Sequence, residues 1–289
     1  MWLNTLINFS PRWLVFLPLI FLCWKPRKKR ILAAAVFVVI DLYAIMGFRY
    51  TPTPEEYHTP DLRILSYNMG GGSIDVSALK QVISEQNINL IMLQESGGAI
   101  LNTVAPKSWN KHCYSNLCVA SSYKLTPMES QKRRFLGGWG DFTGLYQLAL
   151  GSKNIHVQNV HLDTPRRGLA PLLHKKLDGL NALKQNLSNR DIESNIASQW
   201  SKATPASIVA GDFNMPQESA LYREYWSHLQ NTFSESGQGL GYTKSTRWLG
   251  VRIDHILASD SFEVLDFHTL RGLGGDHNPV VASVKLIEG

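Results

Sequence analysis

The strongest constraint on this 289-residue chain is a series of short apolar, strand-like runs that each end in a polar residue able to do chemistry. LRILSYNMG (62–70), LIMLQES (90–96), NVHLDTP (159–165), GDFNMP (211–216), RIDHIL (252–257) and GGDHNPV (274–280) follow one another in that order. They gather Asn68, Glu95, His161, Asp212, Asn214, Asp254, Asp276 and His277. Runs rich in Ile, Val and Leu and bounded by Gly, Pro, Asn or Asp read as strands. LYQLAL and PVVASVKLI extend the set. Asp75 is placed to cap a helix carrying Val76, Leu79, Val82 and Ile83 on one face, and the leucines from Leu172 to Leu187 predict a long surface helix. QESALYREYW predicts a short one. Several strands follow each other directly from about Tyr114 to His161, which favours mixed or antiparallel sheets over a doubly wound parallel sheet.

The polar residues form a chemical set. A hard divalent cation such as Mg²⁺ takes oxygen ligands, often one or two carboxylates with water and phosphate, and Asn68 and Glu95 offer such oxygens at two strand ends. Asp212 and Asn214 are two apart, so a continuing strand would project both to one side. His277 stands beside Asp276, and Asp254 is a carboxylate able to hold an imidazole in position. Singly, each is what an ordinary strand end or turn supplies. Their joint order is what points to metal-assisted attack on a phosphate ester.

In that order, with GDFN, RIDHIL and DHNPV, residues 61–287 closely resemble the endonuclease/exonuclease/phosphatase (DNase I-like) superfamily. The resemblance implies a four-layered α/β sandwich, two packed mixed β-sheets flanked by helices. It implies Asn68 and Glu95 on a catalytic Mg²⁺ (or Mn²⁺) with Asp276 near it, and Asp212 and Asn214 orienting water and phosphate. It implies His277, positioned by Asp254, on the scissile phosphate, and His161 as the histidine many members carry. In-line attack of activated water, without a covalent enzyme intermediate, is the expected reaction.

Charge and hydropathy divide the chain. Residues 1–49 hold seven basic side chains and one acid, leaving 22 basic and 22 acidic residues beyond them. The catalytic part is therefore formally neutral, which removes the charge argument for a nucleic-acid partner. Residues 31–48 are an apolar run with one acid, Asp41, near the roughly 20 residues a membrane helix needs. A further apolar stretch covers 2–24, and KPRKKR (25–30) lies between them. The expectation is a membrane anchor over 1–49, of one or two transmembrane segments (2–24 and 31–48), with the basic loop in the cytoplasm and the rest outside it. Residues 50–60 read as a Pro-punctuated linker, and 61–289 as the catalytic domain. Cys113 and Cys118 flank YSNL, a turn between two short strands, as a disulfide or as two free thiols.

Three loops bear on substrate. QKRRFLGGWGDF (131–142), TPRRG with Arg166 and Arg167, and TKSTRWLG with Arg247 and Trp248 bring cations and aromatics near the motifs. The layout resembles membrane-anchored bacterial members of the superfamily, the VanJ-type proteins among them. That implies a bacterial inner-membrane location and a lipid-linked phosphate or pyrophosphate, favoured over nucleic acid, with the bilayer as a partner and no obligate protein partner. A tethered nuclease acting on DNA or RNA is the alternative. A catalytically inactive binding module is disfavoured, since each expected polar position is filled.

Overall fold

In the computed structural model, residues 2–24, 27–52, 58–174, 176–245 and 250–287 are described. Two six-stranded sheets face each other. The strands of these sheets and of one small ribbon are β1 (Leu62–Asn68), β2 (Leu90–Gln94), β3 (Asn110–Tyr114), β4 (Leu117–Ser121), β5 (Leu125–Lys132), β6 (Asp141–Leu150) and β7 (Lys153–His161). They continue with β8 (Ser207–Asp212), β9 (Gln230–Asn231), β10 (Lys244–Ser245), β11 (Gly250–Val251), β12 (Asp254–Ala258), β13 (Phe262–Thr269) and β14 (Val280–Leu286). One sheet has the order β13-β14-β1-β2-β4-β3 and the other β9-β12-β8-β7-β6-β5, while β10 and β11 form a separate ribbon. Each six-stranded sheet is mixed: β1 and β2 are parallel in one, β7 and β8 in the other, and their neighbours are antiparallel.

Strand alternation builds the layers. Leu62, Ile64, Met92, Val157, Ile208, Ile256 and Ala282 interdigitate between the sheets. The opposite face of β1 and β2 gives Leu65, Tyr67, Ile91 and Leu93, which pack with Leu79, Ile83 and Leu101 of the helices α4 (Val76–Glu85) and α5 (Gly98–Val104). Val160, Val209 and Leu257 face outward from the other sheet toward Ala197 of α7 (Lys176–Lys202) and Leu221 and Tyr222 of α8 (Ala220–Tyr225). The result is the four-layered α/β sandwich that the family resemblance implies. Asp75 caps α4 by accepting from Ala78 N–H at 2.9 Å, and Ser219 caps α8 through Tyr222 N–H. The long helix expected around 171–189 is two elements, α6 (Arg166–His174) and α7. Cys113 and Cys118 are opposite one another in the β3–β4 hairpin and are disulfide-bonded.

The N-terminal region departs from two simple spans. It comprises α1 (Trp2–Asn8), a 3₁₀ turn (Arg12–Phe16), α2 (Pro18–Cys23), α3 (Lys28–Ile40) and a π-helical turn (Asp41–Ile45). Among the described residues no helix is long and apolar enough to cross a membrane. The stretch 2–24 is broken around Pro11, which lacks the N–H a continuous helix needs. The run 31–48 starts inside a helix that opens on Lys28, Lys29 and Arg30 and loses α-geometry at Asp41. The segment is tied to the domain: Asn4 Oδ1 accepts from Ala220 N–H at 2.9 Å, and Arg12 pairs with Glu218 at 3.1 Å. The linker also docks where it is described. Arg49–Tyr50 pairs antiparallel with Gln238–Gly239. Residues 53–57 lie outside the described residues.

Candidate active site

The two sheets end their apolar interior in two polar rows. Gln94 and Asn159 take inward positions on β2 and β7, and Gln94 Nε2 donates to Asn159 Oδ1 at 2.8 Å across the inter-sheet gap. Asn159 Nδ2 donates in turn to the carbonyls of Leu93 and Cys118. One inward step further along the strands come Asn68, His161, Asp212 and Asp254. Register aligns the last three: His161 lies opposite Asp212, and Asp212 opposite Asp254. The period-two pleat that puts Val157, Ala210 and Ile256 in the core therefore also points these three polar residues into one cleft.

Their contacts are specific. Asn68 Nδ2 donates to Glu95 Oε1 at 3.0 Å and to Asp212 Oδ2 at 2.9 Å, joining the two sheets. His277 Nδ1 lies 2.9 Å from Asp254 Oδ2. His277 Nε2 stands 3.8 Å from Asp212 Oδ2 and 3.7 Å from Asp276 Oδ1. His161 Nε2 is 3.9 Å from Asp212 Oδ2 and 3.6 Å from Glu95 Oε1. These last four separations are too long for direct hydrogen bonds. They surround a space where a water or phosphoryl oxygen would contact several groups together.

Asp212 and Asn214 meet by a different route from the expected continuing strand. β8 stops at Asp212, and Asn214 takes a left-handed φ of 50°. Asn214 N–H then donates to Asp212 Oδ1 at 2.7 Å, and its Nδ2 to Asp212 Oδ2 at 3.2 Å. Asparagine tolerates this conformation better than most side chains. Buried Arg190 fixes the turn by donating to Asn214 O at 2.8 Å. Glu95 also has a left-handed φ of 50°, just beyond the end of β2.

Electrostatics separates the roles of the titrating groups. Burial, then the Asp254 charge, push Asp212 up to about 7 against the pull of His277. Asp254 is held below the ordinary carboxylate range, because its contacts with His277 and Thr243 outweigh its burial. His277 is raised to about 9: burial opposes its charge, and Asp254 and Asp212 overcome that. His161 is lowered to about 3, first by burial and then by Arg133 and His277. It is therefore a neutral imidazole at neutral pH, and its approaches to Glu95 and Asp212 are not ion pairs.

Two groups of residues could hold a cation. Asp212, Asp254 and His277 bring ligand atoms within 4.8 Å of one another, but Asp254 and His277 are already bound to each other and all three are buried. Glu95 and Asp276 fit a hard ion better, each side chain being 45% exposed and offering only oxygen. Both carboxylates rest on the glycine pair Gly70–Gly71. A Cβ on Gly70 would collide with Glu95 and one on Gly71 with Asp276, and Gly71 has a φ of 77°. The backbone is thus shaped to admit two carboxylates with Asn68 beside one of them.

Lys244 is the cleft residue that the sequence reading did not single out. Its Nζ lies 2.9 Å from Asp276 Oδ2 and 2.8 Å from His277 Nε2. A β-bridge between the backbones of Lys244 and His277 sets that contact, and no spacing in the sequence announces it. Arg133, in the basic loop expected near substrate, instead turns inward. It is buried and forked onto Glu193 (Nε–Oε1 2.5 Å, Nη2–Oε2 3.1 Å), with Nη2 also donating to the His161 carbonyl. Arg166 and Arg167 line the cleft and are exposed, Arg167 lying 3.4 Å from Asp163. Arg247 and Trp248 lie outside the described residues.

The sequence matches the Endonuclease/Exonuclease/phosphatase family over residues 65–277. No curated protein matches the chain in sequence. Among solved structures, the chain is similar to an endonuclease/exonuclease/phosphatase from Beutenbergia cavernae, with TM-score 0.57, 16% identity, and coverage of 79% of this chain and 72% of that one. It is similar to a humanized D. rerio TDP2, with TM-score 0.58, 15% identity, and coverage of 78% and 98%. It is also similar to the Bacteroides thetaiotaomicron mannosyl-6-phosphatase Bt3783, with TM-score 0.53, 16% identity, and coverage of 77% and 99%.

Proposed function

We propose that this chain, which belongs to the endonuclease/exonuclease/phosphatase family, is a membrane-associated, divalent-metal-dependent phosphoesterase acting on a lipid-linked phosphate or pyrophosphate. One observation carries the hydrolase reading: a carboxylate raised toward neutrality (Asp212), an imidazole held cationic by a buried carboxylate (His277–Asp254), and two half-exposed carboxylates (Glu95, held by Asn68, and Asp276, paired with Lys244) share one cleft.

Each residue has a task in that reading. Asp212, steadied by Asn68 and Asn214, accepts the proton of the attacking water, and its raised affinity for a proton suits a base working near pH 7. His277 Nε2 donates to a phosphoryl oxygen while Asp254 keeps the imidazolium oriented. Lys244 Nζ, 2.8 Å from His277 Nε2, would give the same phosphoryl group a second charge-assisted hydrogen bond. Neutral His161 orients a water or phosphoryl oxygen without adding charge. Glu95, Asn68 and Asp276 would hold Mg²⁺ or Mn²⁺, which when bound supplies Lewis-acid stabilisation of the phosphoryl oxygens and a more acidic water.

The choice of a lipid-linked substrate over nucleic acid rests on three features. The catalytic region is formally neutral. Part of the cleft wall is apolar and comes from the N-terminal segment. No side chain of α3 is buried, and Ile31, Leu32, Val36, Val39 and Ile40 are each more than 50% exposed. Such a surface is costly in water and at home in lipid. We place α2 and α3 in the bacterial inner membrane as a packed pair, with the basic residues 27–30 toward the anionic cytoplasmic leaflet. The catalytic region is then outside the cytoplasm, where the Cys113–Cys118 bond is stable. This layout accords with the membrane-anchored branch of the family that the sequence resembles.

The test offers polyprenyl pyrophosphate and supercoiled plasmid in parallel to detergent-solubilised full-length protein with Mg²⁺. Phosphate release from the lipid, with the plasmid left intact, is the expected result. Plasmid nicking without lipid turnover would instead assign a tethered nuclease.

A further inference from the structure

The catalytic cleft is larger than phosphate chemistry requires. Its volume is about 1310 Å³, above the roughly 300–1,000 Å³ usual for small-molecule sites. Its polarity is divided along α6. Arg166 and Arg167, at the start of that helix, line the end near the catalytic residues; Leu169, Ala170 and Leu172 line the same cavity further along it. Leu6 and Phe9, in and just after α1, complete this apolar part, and Trp139, 79% exposed, stands on its rim. Leu6, Phe9, Leu169 and Leu172 are only half-buried, so they keep apolar surface turned to the cavity.

The polar ties of α1 explain how the wall is held. Asn4 caps the first N–H of α8, and Asn8 donates to Asn4 at 3.0 Å. Arg12 then bonds both Glu218 in the catalytic domain and the Ile45 carbonyl at the far end of the α3 segment. One short stretch thus joins the apolar helices, the catalytic domain and the cleft. It brings Leu6 and Phe9 to the cavity.

We propose that α1 and α6 form a hydrocarbon trough that holds the chain attached to the phosphate in the catalytic cleft, within about the first eight carbons. The trough rests on the phosphoesterase reading for the position of the phosphate. It adds that chain length is recognised by Leu6, Phe9, Leu169 and Leu172, and that the N-terminal segment is part of the substrate site. A chain with its phosphate at Lys244 and His277 would pass Arg166 and Arg167 and meet the apolar wall of Leu6, Phe9, Leu169 and Leu172 in the same cavity. A nucleotide or sugar would leave this wall unpartnered.

The test uses n-alkyl phosphates of two to eight carbons, soluble as monomers, with Mg²⁺ and the full-length chain. The trough predicts that kcat/KM rises roughly fourfold with each added methylene until the apolar wall is covered. It predicts that Phe9→Gln with Leu169→Gln flattens that rise, cutting the eight-carbon substrate far more than the two-carbon one. A flat dependence in the wild-type chain overturns the trough. A second readout needs no turnover: an alkyl phosphate with a diazirine at carbon eight should crosslink to peptides containing 6–9 or 169–172, and labelling elsewhere overturns the trough. Crosslinking at these peptides without hydrolysis of any alkyl phosphate would retain the trough and refute the proposed activity.

Discussion

Replacing Asp254 with Asn removes one charge at the centre of the proposed chemistry while leaving an oxygen that can still accept from His277 Nδ1–H. The His277 side chain is 2% exposed, so burial alone would drive it neutral. Instead its pKa stands at about 9 against an ordinary 6.5, with Asp254 the largest favourable cause. That difference is worth roughly 3 kcal/mol between the two protonation states. In Asp254→Asn the burial penalty dominates, and His277 should titrate below 6.5. Ring-proton NMR of the metal-free protein measures this directly. Stability gives a second readout. The folded pKa lies above the unfolded one, so the contribution is complete below about 6.5 and disappears as pH rises through about 9. The wild type should lose up to roughly 3 kcal/mol across that window, and the variant should lack this loss. Hydrolysis at pH 7.5 should fall on the order of 10³–10⁴-fold with the fold intact, comparable with the loss of about 10⁴ when an oriented catalytic imidazole loses its carboxylate. A His277 that still titrates near 9 in the variant would refute the electrostatic reasoning.

Three further substitutions probe separate parts of the cleft. Gly71→Ala places a Cβ against the Asp276 carboxylate at a left-handed φ. It should weaken Mg²⁺ binding at least tenfold in calorimetry and lower stability by about 1–2 kcal/mol. Arg133→Met leaves Glu193 charged and buried, so thermal unfolding should show a loss of about 3–5 kcal/mol. Lys244→Met removes the charge-assisted hydrogen bond proposed to the phosphoryl oxygen, worth about 2 kcal/mol, predicting a loss of tens-fold in kcat/KM, with Lys244→Arg recovering part of it.

The legible part of this fold was its strand ends. Asn68, His161 and Asp212 each close an apolar strand and Asp254 opens one, the alternation fixing which way each side chain points, and the sheets deliver all four to one place. Asp254 under His277 was legible through the family resemblance, and the cap at Asp75 through its place just ahead of a helical pattern. Lys244 was hidden because its position comes from a tertiary β-bridge to His277. Arg133 was misread because basic loop residues usually face solvent. Its partner Glu193 lies 60 residues away on α7, where surrounding helix gives no sign that this acid is buried. Asn214 reached Asp212 by a left-handed turn, and a spacing of two cannot distinguish that from a strand. At the N-terminus hydropathy was read as length. Pro11 and the change of helix at Asp41 divide those apolar runs, although many of their apolar side chains are exposed.

The most direct test of the central claim compares the wild type, Asp212→Ala and His277→Ala in hydrolysis of a soluble aryl phosphate ester, with Mg²⁺ and with chelator. Wild-type turnover that requires Mg²⁺ is predicted, with both variants folded and slowed by at least about 10³-fold. Undiminished hydrolysis by either variant, or wild-type turnover unaffected by chelation, would contradict the assignment of this cleft as a metal-dependent phosphoesterase site.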